Sequence, residues 1–96
     1  MRKEDSMCDT HAPHMTDDDL ASMESRANRA TKGPWKSYIE GREEMSGSSF
    51  IMTGGADIYL SGATKEDHDF IAASREDVPK LICEVRRLRK ILFTLN

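Results

Sequence analysis

Residues 77–95 read DVPKLICEVRRLRKILFTL and form the longest periodic stretch of the sequence. Its apolar residues recur in steps of four and three, the seven-residue repeat of a helix with one apolar stripe. Asp77 is a suitable N-cap and Pro79 is tolerated in a first helical turn, so a long helix is predicted from Asp77 onward. The stripe consists of Leu81, Val85, Leu88, Leu92 and Leu95.

This stripe is longer and wider than one small sheet can cover, and a chain of this size has few other apolar surfaces to offer it. A second subunit would supply the missing cover. We therefore predict a homodimer or a higher oligomer, with an interface formed by Leu81, Val85, Leu88 and Leu92.

Upstream of the long helix, Thr64 is predicted to cap a short helix whose first turn carries Glu66 and Asp67. The region 74–77 is predicted to end it, because Pro79 disfavours helical geometry at the preceding residue. The inner face of the short helix is assigned to Phe70, Ile71 and either Ala73 or Ser74.

A first helix is predicted to begin after Thr16, with Asp19 completing a capping box, and to end before Gly33-Pro34. Its apolar stripe is narrow and contains small side chains; it consists of Leu20, Met23, Ala27 and Ala30.

Two stretches between the helices, 35–39 and 49–60, favour strands. Gly54-Gly55 divides the second stretch as a two-residue hairpin turn, and residues 41–48 form a flexible loop. The predicted fold class is α+β: an N-terminal helix, a small antiparallel sheet with a Gly-Gly hairpin, a short helix and a long amphipathic helix. Residues 1–15 are predicted to be a flexible arm, and residues 16–96 a single domain.

Composition narrows the function classes. The chain has 96 residues, 38% of them hydrophobic, which suffices for a thin core but not for a large cofactor-binding fold. Its net charge of −3 argues against generic nucleic-acid binding, and no apolar run reaches membrane-spanning length. The N-terminus lacks the apolar stretch of a secretory signal, so we expect a cytoplasmic protein with its two cysteines as free thiols.

Groups that could carry out catalysis are sparse. Cys8, His11 and His14 can in principle coordinate a metal, but a structural zinc site needs a fourth ligand, and a solvated tail is the simpler interpretation. His68, between two aspartates, is interpreted as a solvated helix residue because no nucleophile lies three or four residues away. Cys83 is interpreted as a small core or flank residue. We therefore predict no enzyme activity, no cofactor and no metal site.

A basic cluster surrounds the only tryptophan. The predicted ligand-binding residues are Arg26, Arg29, Lys32, Trp35 and Lys36. A cationic turn with an aromatic ring can bind a nucleotide through stacking and charge-assisted hydrogen bonds. The alternative is that Trp35 fills the core while the lysines point to water.

Three stretches resemble short proteins of phages and prophages. The first is Ala30-Thr31-Lys32-Gly33-Pro34-Trp35, where the family has Ala-Thr-Pro-Gly-Pro-Trp, so Lys32 replaces a proline. The others are Asp67-His68-Asp69-Phe70-Ile71-Ala72, followed by Asp77-Val78-Pro79, and the run from Leu81 through Glu84-Val85 to Leu88-Arg89. The resemblance covers roughly residues 16–90, leaves the arm unmatched, and implies an origin in a mobile element without assigning an activity.

Small phage accessory proteins usually act by binding. The leading hypothesis is therefore a counter-defence inhibitor that blocks a protein of the host cytoplasm through a strand edge, the acidic arm or the exposed face of the last helix. The alternative is an oligomeric sponge that sequesters a nucleotide-type immune signal in the basic cluster.

Overall fold

The computed structural model describes residues 14–42 and 47–95. Four elements follow one another along the chain: helix α1 (Asp17–Arg29), strand β1 (Lys36–Tyr38), strand β2 (Phe50–Met52) and helix α2 (Lys65–Leu95). The predicted α+β class is confirmed. The predicted arm lies almost wholly outside the described residues, as do Cys8 and His11 of the cysteine-histidine group interpreted as a solvated tail, whereas His14 is exposed.

The predicted helix starts at Thr16 and Thr64 are confirmed. The Thr16 hydroxyl accepts a hydrogen bond from the Asp19 backbone N–H at 3.0 Å, and the Asp19 carboxylate accepts one from the Thr16 N–H at 2.8 Å. Thr64 and Asp67 repeat this reciprocal pair at 3.0 Å in both directions. Each capping box satisfies two backbone donors that a helix start leaves without an intrahelical acceptor.

The predicted break between a short helix and a long helix is wrong. α2 is one helix of 31 residues with Pro79 inside it. A proline within a helix costs about 3 kcal/mol, but packing on both sides of Pro79 opposes a break. Arg75 Nε donates to the Thr31 carbonyl at 2.9 Å, and Ile82 is buried.

Helix α2 also presents a different face to the core than predicted. Phe70, assigned to the inner face, is 74% exposed, whereas His68 and Ala72 are buried. Residues four apart lie on the same side of a helix, so His68 and Ala72 form one inward row that the apolar pattern did not reveal. The buried apolar core is Leu20, Ile39, Ile51, Ala72 and Ile82.

The two strands pair antiparallel, with Ser37 opposite Ile51 and Tyr38 opposite Phe50. The predicted Gly54-Gly55 hairpin is reduced to a single bridge between Ile51 and Ile58. This bridge has the register of a Gly54-Gly55 turn, but neither glycine has a positive φ. The Thr53 hydroxyl instead accepts from the Gly55 N–H and donates to the Ala56 carbonyl, and so takes over hydrogen bonds of the ladder.

Gly54 serves the contact between the hairpin and the turn that follows α1. Its N–H donates to the Lys32 carbonyl at 2.8 Å, and a Cβ at this position would lie 2.6 Å from that oxygen. Only a residue without a side chain allows this close approach of two backbones. The turn itself contains the cis Gly33-Pro34 peptide bond.

Candidate binding surfaces

α1 and α2 form an antiparallel helical hairpin. The Arg89 guanidinium pairs with Asp17 at 2.8 Å, and Arg86 pairs with Glu24 at 2.9 Å. Arg75 contacts the turn after α1 through the Thr31 carbonyl. The start of α1 therefore lies beside residues 86–89 of α2, and its end lies beside residue 75, while the last turn of α2 extends past α1.

A cavity of about 480 Å³ lies between the two helices, and we call it the helix cavity. Arg26 and Trp35, two of the five predicted ligand-binding residues, line it together with Ile71, Arg75 and Val78. Most of the lining is apolar, and the two guanidinium groups are its main charged groups. The cavity therefore combines an aromatic wall with groups that bind anions.

The remaining predicted ligand residues do not line the helix cavity. Lys32 lines a neighbouring cavity of about 490 Å³, which also has Arg75 in its wall. Arg29 is exposed. Lys36 belongs to β1, and its ammonium lies 5.1 Å from the centroid of the Tyr38 ring. The predicted ligand-binding residues are close in sequence but lie on different surfaces, because the chain passes there from a helix through a turn into a strand.

Trp35 is half-buried and is not part of the buried core, contrary to the interpretation that places it there. Its indole N–H is directed to the Thr31 and Lys32 carbonyls, at 3.0 and 3.2 Å. These hydrogen bonds fix the ring against the turn after α1, where it lines the helix cavity beside Ile71.

The sheet carries an aromatic face that the sequence analysis did not single out. Tyr38 and Phe50 stack with ring centroids 5.1 Å apart, and Phe50 and Tyr59 follow at 5.6 Å. The side chains of neighbouring strand residues point to opposite sides of a sheet, and Ser37 and Ile51 point toward α2 and the core. The aromatic face therefore lies on the side of the sheet away from α2. Its members are Lys36, Tyr38, Phe50, Met52 and Tyr59.

Much of this face is open to solvent: Tyr59 is 64% exposed and Met52 is 39% exposed. Strand alternation would have found Tyr38 and Phe50, because each is flanked by a residue of opposite orientation. Tyr59 requires the hairpin register, which places it opposite Phe50.

The apolar stripe on α2 is also exposed. The predicted interface residues have exposed fractions of 62% for Leu81, 45% for Leu88 and 60% for Leu92, while Val85 is half-buried and Leu95 is 76% exposed. The seven-residue repeat continues upstream through Val78, Ser74 and Ile71 because the helix is unbroken. We call these eight residues, Ile71, Ser74, Val78, Leu81, Val85, Leu88, Leu92 and Leu95, the α2 stripe.

His68 is 3% exposed, so its interpretation as a solvated residue is wrong. Its Nδ1 lies 2.9 Å from the Thr64 carbonyl, and its Nε2 is buried without a hydrogen-bond partner. A carbonyl oxygen only accepts hydrogen bonds, so this contact requires a proton on Nδ1.

The adjacent Asp69 joins α2 to β1. Its carboxylate accepts two hydrogen bonds from the Arg42 guanidinium, at 3.0 and 3.2 Å, and one from the Ser37 hydroxyl at 2.5 Å. The hydrogen bonds from Arg42, followed by that from Ser37, hold the pKa of Asp69 below its ordinary value of 3.8.

Asp69→Asn is expected to make the free energy of unfolding depend less on pH in acidic solution. A carboxyl group whose folded-state pKa is lowered adds stability above its unfolded pKa and loses that contribution as the pH falls through the folded value. The wild type should therefore lose stability faster than the variant below about pH 3.8. Urea denaturation at several pH values measures this difference, and Ser37→Ala should lie between the two. Parallel curves would contradict the assignment.

Two further findings concern the described part of the chain only. Neither α1 nor α2 combines the length and the apolar character that a membrane crossing needs. Within residues 14–42 and 47–95, histidine, cysteine and acidic side chains form no group of three that could hold a metal ion.

Comparison of the chain with protein-family models, with curated proteins and with solved structures gave no match.

Proposed function

We propose that this chain is a non-enzymatic phage or prophage accessory protein that blocks a host protein by stoichiometric contact. The observation that carries the proposal is the open aromatic face of the sheet. Tyrosine, phenylalanine and methionine are enriched at protein interfaces, where they provide large contact areas at a low cost in side-chain entropy. A surface that exposes such residues in a row is suited to a protein partner.

The resemblance of residues 16–90 to phage and prophage proteins supports a target in the host cytoplasm. The active unit that we propose is a homodimer, formed through the α2 stripe. The stripe and the aromatic face belong to different elements, so a dimer leaves the aromatic face available to the target.

The test has two stages. Affinity capture from a bacterial lysate identifies a candidate target, and titration of the purified target then measures stoichiometry. Saturation of the inhibitory effect near one equivalent per site would support the proposal. Turnover of a large molar excess of any substrate by a trace of the chain would refute it.

A second candidate function, sequestration of a nucleotide-type signal, is favoured by the helix cavity. Its aromatic wall contains Trp35, and Arg26 and Arg75 are placed to neutralise a phosphate. A ligand that binds only the folded state raises thermal stability by mass action. Protection against thermal unfolding by nucleoside phosphates, lost in Arg26→Glu, would favour this function. Equal melting temperatures with and without nucleotide would exclude it.

A further inference from the structure

We propose that the α2 stripe binds a second copy of itself in antiparallel orientation, so that two α1–α2 hairpins form a four-helix bundle. This inference deepens the proposed homodimer by giving it a register and an orientation, and it does not depend on which protein the aromatic face contacts. Four observations carry it: the position of α1, the order of side-chain sizes along the stripe, the charges on its flank and the composition of residues 1–13.

The position of α1 leaves the four leucines of the stripe exposed. In heptad notation, Ile71, Val78, Val85 and Leu92 occupy a positions, and Ser74, Leu81, Leu88 and Leu95 occupy d positions. The neighbouring e positions contact α1 or its following turn: Arg75 at Thr31, Arg89 at Asp17, and Ile82 by burial. α1 therefore covers one side of the stripe and partly covers Val78 and Val85, which share an apolar lining with Leu20 and Met23 of α1. The leucines of the stripe remain exposed and are left for another helix.

The order of side-chain sizes fits antiparallel pairing. In such a pair each a residue faces a d residue of the partner, which places Val85 opposite Leu81 and Leu88 opposite Val78. The large, exposed Leu92 then falls opposite Ser74, and Leu95 falls opposite Ile71. Ser74 and Ile71 line the helix cavity. The projecting end of each α2 would thus fill the cavity of the partner subunit.

The charges along the flank of the stripe complement themselves when the helix is reversed. Asp77, Lys80, Glu84 and Arg87 alternate in sign along one side of α2. In this register Asp77 lies about half a helical turn from direct opposition to Arg87 of the partner subunit, and Lys80 lies about half a turn from its Glu84, so these two pairs bring opposite charges close together.

The N-terminal segment is poorly suited to cover the stripe in place of a second copy. Residues 1–13 contain two long apolar side chains, Met1 and Met7, among mostly charged and small residues. A seam of eight positions needs a matching apolar row, which the α2 stripe itself provides.

Sedimentation analysis of the full chain tests the proposal directly. The wild type is expected to be a dimer at high micromolar concentration, and Leu88→Asp to weaken dimerisation by about 100-fold or more, because each interface loses two central leucines. Cys83→Asp is the matched control, since it places the same side chain on the same helix at an exposed position opposite the stripe. A monomeric wild type, or equal effects of the two variants, would overturn the proposal.

Two further variants guard against misfolding and test orientation. Leu92→Asp, at a more exposed position, should give a folded monomer by circular dichroism even if Leu88→Asp fails to fold. Glu84→Lys should weaken the dimer, and Lys80→Glu combined with Glu84→Lys should restore it. A double variant as weak as the single one would overturn the antiparallel register.

Tryptophan fluorescence provides a second readout within the cavity. Trp35 is the only tryptophan, and it shares the helix cavity with Ile71 and Ser74. Covering by Leu92 and Leu95 of the partner subunit should shift its emission to shorter wavelength. The expected result is a red shift on dilution whose midpoint matches the sedimentation constant and which is absent from Leu88→Asp. Emission independent of concentration in a dimeric wild type would overturn the predicted register.

Discussion

Ile51→Ala is expected to lower the free energy of unfolding by about 2–5 kcal/mol, the usual range for truncating a buried isoleucine. Ile51 is fully buried at the centre of β2, where it pairs with Ser37 of β1 and forms the bridge to Ile58. The lost methyl groups would leave a cavity at the point where the hairpin, the sheet and α2 meet. Urea denaturation monitored by circular dichroism measures the change.

Met52→Ala is the control for this prediction. Met52 follows Ile51 in the same strand but points to the aromatic face and is 39% exposed. Its truncation should change stability by less than about 1 kcal/mol. If both variants lost the same stability, Ile51 would not be the centre of the core.

Tyr59→Ala is expected to weaken binding of the target by about 30-fold or more, which corresponds to the 2 kcal/mol that defines an interface hot spot. Tyr59 is the most exposed ring of the aromatic face, and it lies at the end of the Tyr38–Phe50–Tyr59 row. Calorimetric titration of the purified target measures the change in Kd.

Tyr59→Phe separates the ring from its hydroxyl and should retain most of the affinity. The stability of Tyr59→Ala should fall by only about 1 kcal/mol, because a cross-strand aromatic pair contributes little beyond that. Unchanged affinity in Tyr59→Ala would remove the aromatic face from the proposed contact.

Local signals in the sequence predicted the starts of α1 and α2 and the end of α1. Thr16 with Asp19, and Thr64 with Asp67, form the capping boxes that their spacing indicates. α1 ends at Arg29, before Gly33-Pro34, as predicted. These signals depend on residues three or four apart, so they act before any tertiary contact forms.

Tertiary packing decided what local signals could not. Pro79 predicted a break, but contacts with the α1 side of the molecule at Arg75 and Ile82 accompany a continuous helix. His68, flanked by aspartates, resembled a surface residue until the helix placed it four residues before the buried Ala72. A polar residue on the buried side of a helix does not contribute to the apolar periodicity from which that side is predicted.

The candidate sites also combine features that local sequence patterns predict with features that depend on tertiary contacts. The seven-residue repeat predicted the exposed stripe from Leu81 onward, and the unbroken helix extended it to Ile71. Of the basic cluster, only Arg26 and Trp35 share the helix cavity, because the turn directs the following lysines elsewhere. Arg75 joins them across 40 or more residues of chain, a contact that spacing cannot predict.

The central claim, antiparallel pairing of two α2 stripes, is tested most directly by one distance. A spin label at Thr94→Cys, with Cys8 and Cys83 replaced by serine, reports the separation of the two helix ends by pulsed electron resonance. In the proposed register Thr94 faces residue 72 of the partner subunit, so the two labels lie about 33 Å apart along the helix axis at 1.5 Å per residue. A distribution centred above about 30 Å is the predicted result. A separation below about 20 Å, as parallel helices would give, or the absence of any dipolar coupling at high micromolar concentration, would contradict it.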